Sequence, residues 1–168
     1  TTTRPEKPPY LPVEISYFRE IAGFAEFGDA AEGTTELRRW ETDPTIEVFG
    51  DPTDDDLATL SGVVGEINDL VDGIEMQIVE EGGLIEIYFA PQFAFEQLEP
   101  NYVAGNAGFV YVWWNSRGEI TSARVLISTQ QSPRARSHLI REELTQSLGL
   151  LNDSFEYEGS IFFQGWTT

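Results

Sequence analysis

The residues best placed to do chemistry lie in the segment 137–154, SHLIREELTQSLGLLNDS. If this segment is helical, Glu142 and Gln146 lie one turn apart on the same face. Gly149 then allows the chain to turn back, so that Asn152 can reach the same point. All three of these side chains offer oxygen atoms. Oxygen ligands favour hard divalent ions such as calcium, magnesium or manganese over zinc.

The spacing of this segment matches an extended zinc-protease pattern, H-E-x-x-H-x-x-G-x-x-H-D, in which three histidines hold the metal. The glutamate of that pattern polarises a metal-bound water molecule. Glu142, Gln146 and Asn152 occupy the three histidine positions here, and Glu143 occupies the position of the general base. The spacing therefore indicates Glu143 as a candidate catalytic base of a divalent-metal-dependent peptidase.

A second metal-binding register includes the single histidine of the chain. His138 precedes Glu142 by one helical turn, and Gln146 follows by another. A histidine and a glutamate with this spacing can bind zinc or another divalent ion. The competing interpretation is that these side chains form ordinary hydrogen bonds and ion pairs and that no metal binds. Three nearby arginines fit ion pairing and the binding of a substrate anion equally well: Arg134, Arg136 and Arg141.

The composition limits the classes of partner. The 168 residues carry a formal net charge of −19, which repels phosphate backbones and anionic lipid surfaces. Nucleic acid is therefore not expected as a partner. No apolar run approaches the roughly 20 residues that span a bilayer, so membrane insertion is not expected either. The chain has no cysteine, which excludes disulfides and thiolate metal sites.

The candidate residues need a helix to position them. Ser132 followed by Pro133 is a typical helix start, and Gly149 is a typical stop, so the sequence predicts a helix over 133–148. The apolar strand predicted over 119–129, with Val125 and Ile127, should pack beside this helix.

Hydrophobic periodicity predicts the remaining elements. They are a helix with an apolar stripe of Ile15, Phe18, Ile21, Phe24 and Phe27 that ends at Gly28, a strand over 45–51, a helix from Asp54 to Leu70, and strands over 76–81, 84–90 and 108–115. The stripe is expected to lie in the core. Gly82-Gly83 predicts a hairpin between the strands 76–81 and 84–90, and residues 116–118 predict another between the strands 108–115 and 119–129.

The order of these elements predicts an α+β fold in which helices pack on one mixed sheet. Four prolines indicate that residues 1–12 form an extended linker. The rest of the chain, 13–168, is expected to be a single domain. The opening residues TTTRPEKPPYLP resemble the start of a mature protein whose export signal has been removed.

The segments HLIREELTQSLGLLNDS and SIFFQGW resemble a bacterial family of unknown function, domain-of-unknown-function family 2927, which is grouped with the zincin-like metallopeptidases. Supporting similarity comes from IEVFGDPTDDDLATL, NYVAGNAGFVYVWWN and GEITSARVLIST. The resemblance spans most of residues 13–166. It implies a zincin-like fold, in which a twisted mixed sheet lies beside the motif helix with a substrate cleft between them. It also implies that Glu-Glu-x-x-Gln is usual at this position in the family.

Two functions follow from the motif and the resemblance. The first is a peptidase that depends on one divalent metal ion, zinc or an oxygen-preferring ion such as calcium. The second is a catalytically inactive module that binds a peptide or protein, or serves as an envelope scaffold. Trp113, Trp114 and Arg141 are candidate substrate-binding residues in either case. Members of the family are commonly exported or lipid-anchored, which implies a secreted, periplasmic or cell-envelope location.

Overall fold

A computed structural model describes residues 10–23 and 37–163 and shows five strands in one mixed sheet with helices packed on it. The helices are α1 (Pro12–Gly23), α2 (Asp54–Leu70), α3 (Phe95–Leu98) and α4 (Pro133–Gln146). The strands are β1 (Thr45–Gly50), β2 (Gln77–Val79), β3 (Ile85–Ala90), β4 (Gly108–Trp114) and β5 (Ile120–Ser128), in the spatial order β2-β1-β3-β5-β4. The predicted α+β class is confirmed.

Helices α2 and α4 cover one face of the sheet and form the main core with it. Ile140 and Leu144 of α4 are fully buried in the same cluster as Val125 and Ile127 of β5. Each such side chain contributes about 1.5–3 kcal/mol on burial. The predicted packing of the strand 119–129 beside the motif helix is therefore confirmed.

The motif helix α4 begins where the sequence predicts. The Ser132 hydroxyl accepts a hydrogen bond from the backbone N–H of Ala135 (3.2 Å), and Pro133 is the first helical residue. The helix ends at Gln146, two residues before the predicted end. Gly149 follows with a φ of 104°, and a side chain there would overlap the backbone carbonyl of Arg38. Gly149 therefore allows both the turn and the close approach of residues 37–40.

Helix α2 also begins as predicted, at a capping box. Asp56 accepts a hydrogen bond from the Thr53 backbone N–H (2.9 Å), and the Thr53 hydroxyl accepts one from the Asp56 N–H (3.3 Å). Asp54 and Asp55 stabilise the same first turn through the helix dipole.

The predicted hairpin around Gly82-Gly83 is wrong. β1 lies between β2 and β3 and pairs with both in parallel, so these two strands are not neighbours. Residues 80–84 instead cross over β1. A Cβ atom on Gly83 would overlap the backbone nitrogen and Cβ of Glu47, so only glycine permits this crossing. The Gly83 N–H donates to the Glu47 carboxylate (3.0 Å) at the same point.

The second predicted hairpin is confirmed. β4 pairs antiparallel with β5, and a turn at residues 115–118 joins them. Among the strands that the structure describes, β5 is the one neighbour of β4, so β4 is an edge of this sheet.

Helix α1 differs from the prediction in its packing. It begins at Pro12, whose fixed φ suits the first helical turn. Ile21 is buried, but Ile15 and Phe18 are 42% and 46% exposed, so the expectation that they lie in the core is wrong. Part of the prediction lies outside the described residues: the end of the apolar stripe at Phe24, Phe27 and Gly28, and the linker residues 1–9. None of the described helices has the length and apolar content needed to cross a bilayer.

A buried ion pair joins the first turns of α2 and α4. Arg136 Nε donates to Asp56 Oδ1 (3.0 Å), and the two side chains are 11% and 3% exposed. Arg136 also donates to the Thr129 carbonyl (3.2 Å) just after β5. The pair therefore fixes α4 to both α2 and the sheet.

We expect Asp56→Ala to lower the free energy of unfolding by about 3–5 kcal/mol, because it leaves the Arg136 charge buried without its carboxylate. The matched control is Asp55→Ala, which removes an exposed carboxylate from the same helical turn and should cost only about 0.3–1 kcal/mol. Urea unfolding of both variants measures the difference. Equal losses would show that the buried pair does not hold the helices together.

Candidate functional site

His138 and Glu142 form a contact pair on one side of α4. His138 Nε2 lies 3.3 Å from Glu142 Oε2, as their spacing of one turn predicts. Burial lowers the pKa of His138 below its ordinary value of 6.5. The imidazole is therefore neutral at pH 7, and the contact joins a neutral ring to a carboxylate.

Gln146 holds the loop that follows the helix. Its side chain is buried, and its Nε2 donates to Asp153 Oδ1 (2.8 Å). Asp153 stands at the last position of the extended motif. The structure thus brings two motif residues together, and the contact between them is a hydrogen bond that orders the loop.

The side chain and the backbone of Asn152 are both hydrogen-bonded to α1. Its side-chain Nδ2 donates to the Glu20 carbonyl (3.0 Å), and its backbone N–H donates to the Ile21 carbonyl (3.1 Å). The last four carbonyls of a helix have no partner within the helix, and α1 ends at Gly23. Asn152 therefore caps α1 from a distant loop. No sequence signal relates residues that are 132 positions apart.

Glu143, the candidate base, lies buried between α4 and the edge strand. A Cβ atom on Gly108, the first residue of β4, would overlap Glu143 Oε1 and lie 2.7 Å from Leu139 Cδ2. Gly108 thus provides the space that the carboxylate occupies. Gly108 is not among the predicted site residues, although a glycine inside a strand is a known sign of close approach by another group.

The arginines near the motif pair with α2. Arg141 binds Glu66 with both terminal nitrogens, one of them at 3.1 Å, and the hydrogen bonds lower the pKa of Glu66 and raise that of Arg141. Arg136 binds Asp56 in the buried pair. For these two arginines the structure supports the pairing interpretation, with partners on α2.

The two candidate tryptophans lie apart. Trp113 packs edge-on against Tyr111 (ring centroids 4.9 Å apart) and lies 5.7 Å from the Arg124 guanidinium. Because side chains alternate along a strand, this group faces away from α4. Trp114 follows a register shift, is 40% exposed, and stacks with the Arg38 guanidinium 4.5 Å from its ring centroid.

Other protein groups contact the side chains at the candidate ligand positions. Within residues 10–23 and 37–163, no three His, Cys, Asp or Glu side chains are grouped as metal ligands. Structural and catalytic zinc sites need at least three protein ligands. Of the candidate ligands, His138 and Glu142 contact each other, Gln146 contacts Asp153, and Asn152 contacts α1.

Comparison with known proteins places the chain in a family. The sequence profile of DUF2927, a protein of unknown function, matches residues 14–167. The chain belongs to the DUF2927 family. No curated protein matches it. Family membership and the packing of the motif helix beside a mixed sheet agree with the zincin-like fold that the resemblance implies.

Two solved structures are similar to the chain. One is described as "Structure of Myroilysin", with 14% identity, a TM-score of 0.44, and coverage of 78% of this chain and 54% of that one. The other is described as "Crystal structure of myroilysin", with 15% identity, a TM-score of 0.44, and coverage of 88% and 60%. The chain thus spans less than two thirds of the length of either matched chain.

We expect His138 to titrate below pH 6.5, because burial disfavours the charged imidazolium. The folded state then binds fewer protons than the unfolded state. The contribution of His138 to the free energy of unfolding is therefore greatest above a pH of about 6.5, the pKa of the unfolded state. It falls as the pH drops from there toward the lower pKa of the folded state. As the chain has one histidine, a single Cε1–H resonance reports the titration by NMR.

His138→Gln is the control for the stability effect, since it removes the titrating group and should flatten the pH dependence in this range. A measured pKa above 6.5 would show that the nearby Glu142 carboxylate outweighs burial.

Proposed function

We propose that this domain is a catalytically inactive peptide-binding module that accepts an extended segment along the outer edge of β4. The observation that carries the proposal is the position of β4 as an edge strand directly beside α4. The motif helix supports and shapes this edge. The partner class is a peptide or an extended segment of a protein.

The backbone of β4 supports strand addition. β5 pairs with one side of the strand, and among the described strands β4 is the last in the sheet order. An edge strand presents a row of N–H and C=O groups that pair readily with an extended chain. β4 is seven residues long, whereas the edge strand on the opposite side, β2, has three residues. β4 therefore offers the longer ladder.

The contacts of the motif residues support binding without hydrolysis. Gln146 and Asn152, at two of the three ligand positions, use their amide groups to fix the loop and α1. Glu142 lies against His138. These positions therefore contribute to the fold. The net charge of −19 favours neutral or basic peptides over acidic ones, because like charges repel at long range.

A second candidate function is a divalent-metal hydrolase with Glu143 as the general base. The observation in its favour is that the Glu143 carboxylate lies at Gly108, the first residue of the edge strand. A base in this place would stand beside a peptide bound along β4. The proposed location for either function is the cell envelope or the exterior, as the family resemblance implies.

We expect peptides of the length of β4, seven residues, to shift the backbone amide resonances of residues 108–114. The probes are the strongest binders from a random heptapeptide display library, added to the isotope-labelled chain. Basic sequences should be enriched among them because of the charge of the domain. The amides of β2, at the other edge of the sheet, serve as the internal control and should not move. Binders that shift β2 or spare β4, or a library without binders, would contradict the proposal.

A further inference from the structure

The segment after α4 forms a closed loop, which we call the strap (residues 152–163). The Ser154 backbone N–H donates to the Phe162 carbonyl (2.8 Å), so the two ends of the loop lie side by side. Ser154 and Phe162 are both buried. Such loops, whose ends are close and whose side chains pack internally, behave as compact units.

Helix α1 is attached to the strap. The Tyr17 hydroxyl is hydrogen-bonded to the Ser160 hydroxyl, and the Tyr17 ring packs against the Tyr157 ring with centroids 4.6 Å apart. Asn152 of the strap caps the last turn of α1. By contrast, no described helix or strand packs extensively on α1.

Helix α1 has little stability of its own. It has 12 residues, which is marginal for an isolated helix in water. Only its last three residues are buried, and three apolar residues earlier in the helix are exposed: Val13, Ile15 and Phe18. The order of α1 therefore depends on the strap, and the strap in turn gains two hydrogen bonds from capping α1.

The strap is fastened to α4 by motif residues. Asp153 accepts the hydrogen bond from Gln146 Nε2 (2.8 Å), so the amide of Gln146 is covered while the strap is in place. Two positions of the extended motif, Asn152 and Asp153, thus belong to the strap, and a third, Gln146, is its attachment point on the helix.

We propose that α1 and the strap open and close as one cooperative unit on the body formed by the sheet, α2 and α4, and that opening uncovers Gln146 and Asp153. The hydrogen bond between Gln146 and Asp153 holds this unit in the closed position. This opening does not depend on the proposed peptide binding at β4. A molecule that binds the uncovered groups would shift the population toward the open state by its preference for that state. Segments with few buried apolar contacts are those that open at the lowest free energy.

The test is native-state hydrogen exchange, measured by NMR on the full chain with Tyr17→Phe and Ser160→Ala. Each variant removes one partner of the same hydrogen bond, which is worth a factor of roughly two to ten in the opening equilibrium. We expect the amides of α1, the amides of the strap and the side-chain NH2 of Gln146 to exchange faster by the same factor. Val125 and Ile127 in β5 should keep their rates.

Tyr111→Phe is the matched control, because it removes a tyrosine hydroxyl on the opposite face of the sheet and should leave exchange in the strap unchanged. Ser160→Ala also removes the acceptor of the Phe162 backbone N–H (3.0 Å), so its acceleration should equal or exceed that of Tyr17→Phe. Faster exchange in α1 without the strap, or in the strap without α1, would overturn the proposal. Equal acceleration of β5, or no acceleration at all, would overturn it as well.

Discussion

The buried ion pair between Arg136 and Asp56 sets the position of the motif helix, and the rest of the site depends on that position. The pair lies where the first turns of α4 and α2 meet, and the same guanidinium donates to the Thr129 carbonyl beyond the end of β5. Asp56 also completes the capping box of α2. One carboxylate therefore starts one helix and orients another. Burying charges costs free energy, so this pair is favourable only while all of its hydrogen bonds are made.

With its first turn fixed, α4 presents different residues to each of its neighbours. Arg141 contacts α2, Glu143 contacts the start of β4, and Gln146 contacts the strap. A helix can do this because successive residues point about 100° apart. Gln146, at one of the positions that hold a metal in the extended protease pattern, thus faces the strap. Its amide side chain suits that role, since an amide both donates and accepts hydrogen bonds.

Local signals predicted the elements well. The limits of α4 followed from Ser132-Pro133 and Gly149, since caps and stops depend on neighbouring residues. Strand pairing is different. Gly82-Gly83 has the composition of a hairpin turn, but it crosses over β1, and sequence spacing does not reveal which strand lies between two others. A short parallel crossover and a hairpin both need small residues such as glycine in the connection between the two strands.

The partners in the site could not be predicted, because they come from distant parts of the chain. The Arg136–Asp56 pair spans 80 positions, and the bond from Asn152 to the Glu20 carbonyl spans 132. The motif predicted which residues share one side of α4, and His138 and Glu142 do lie in contact there. Whether those residues bind a metal or stabilise the fold depends on which groups lie opposite them. Tertiary packing determines those groups.

The central proposal is that the motif residues of this domain stabilise its structure and hold no metal ion. The most direct measurement is the metal content of the chain, purified without a histidine tag and equilibrated in turn with zinc, manganese and calcium. We expect far less than one ion per chain, and no difference between the wild type and Glu142→Ala. One tightly bound ion per chain that is lost in Glu142→Ala would contradict it. In that case, peptide hydrolysis that is abolished by Glu143→Gln would establish the hydrolase function instead.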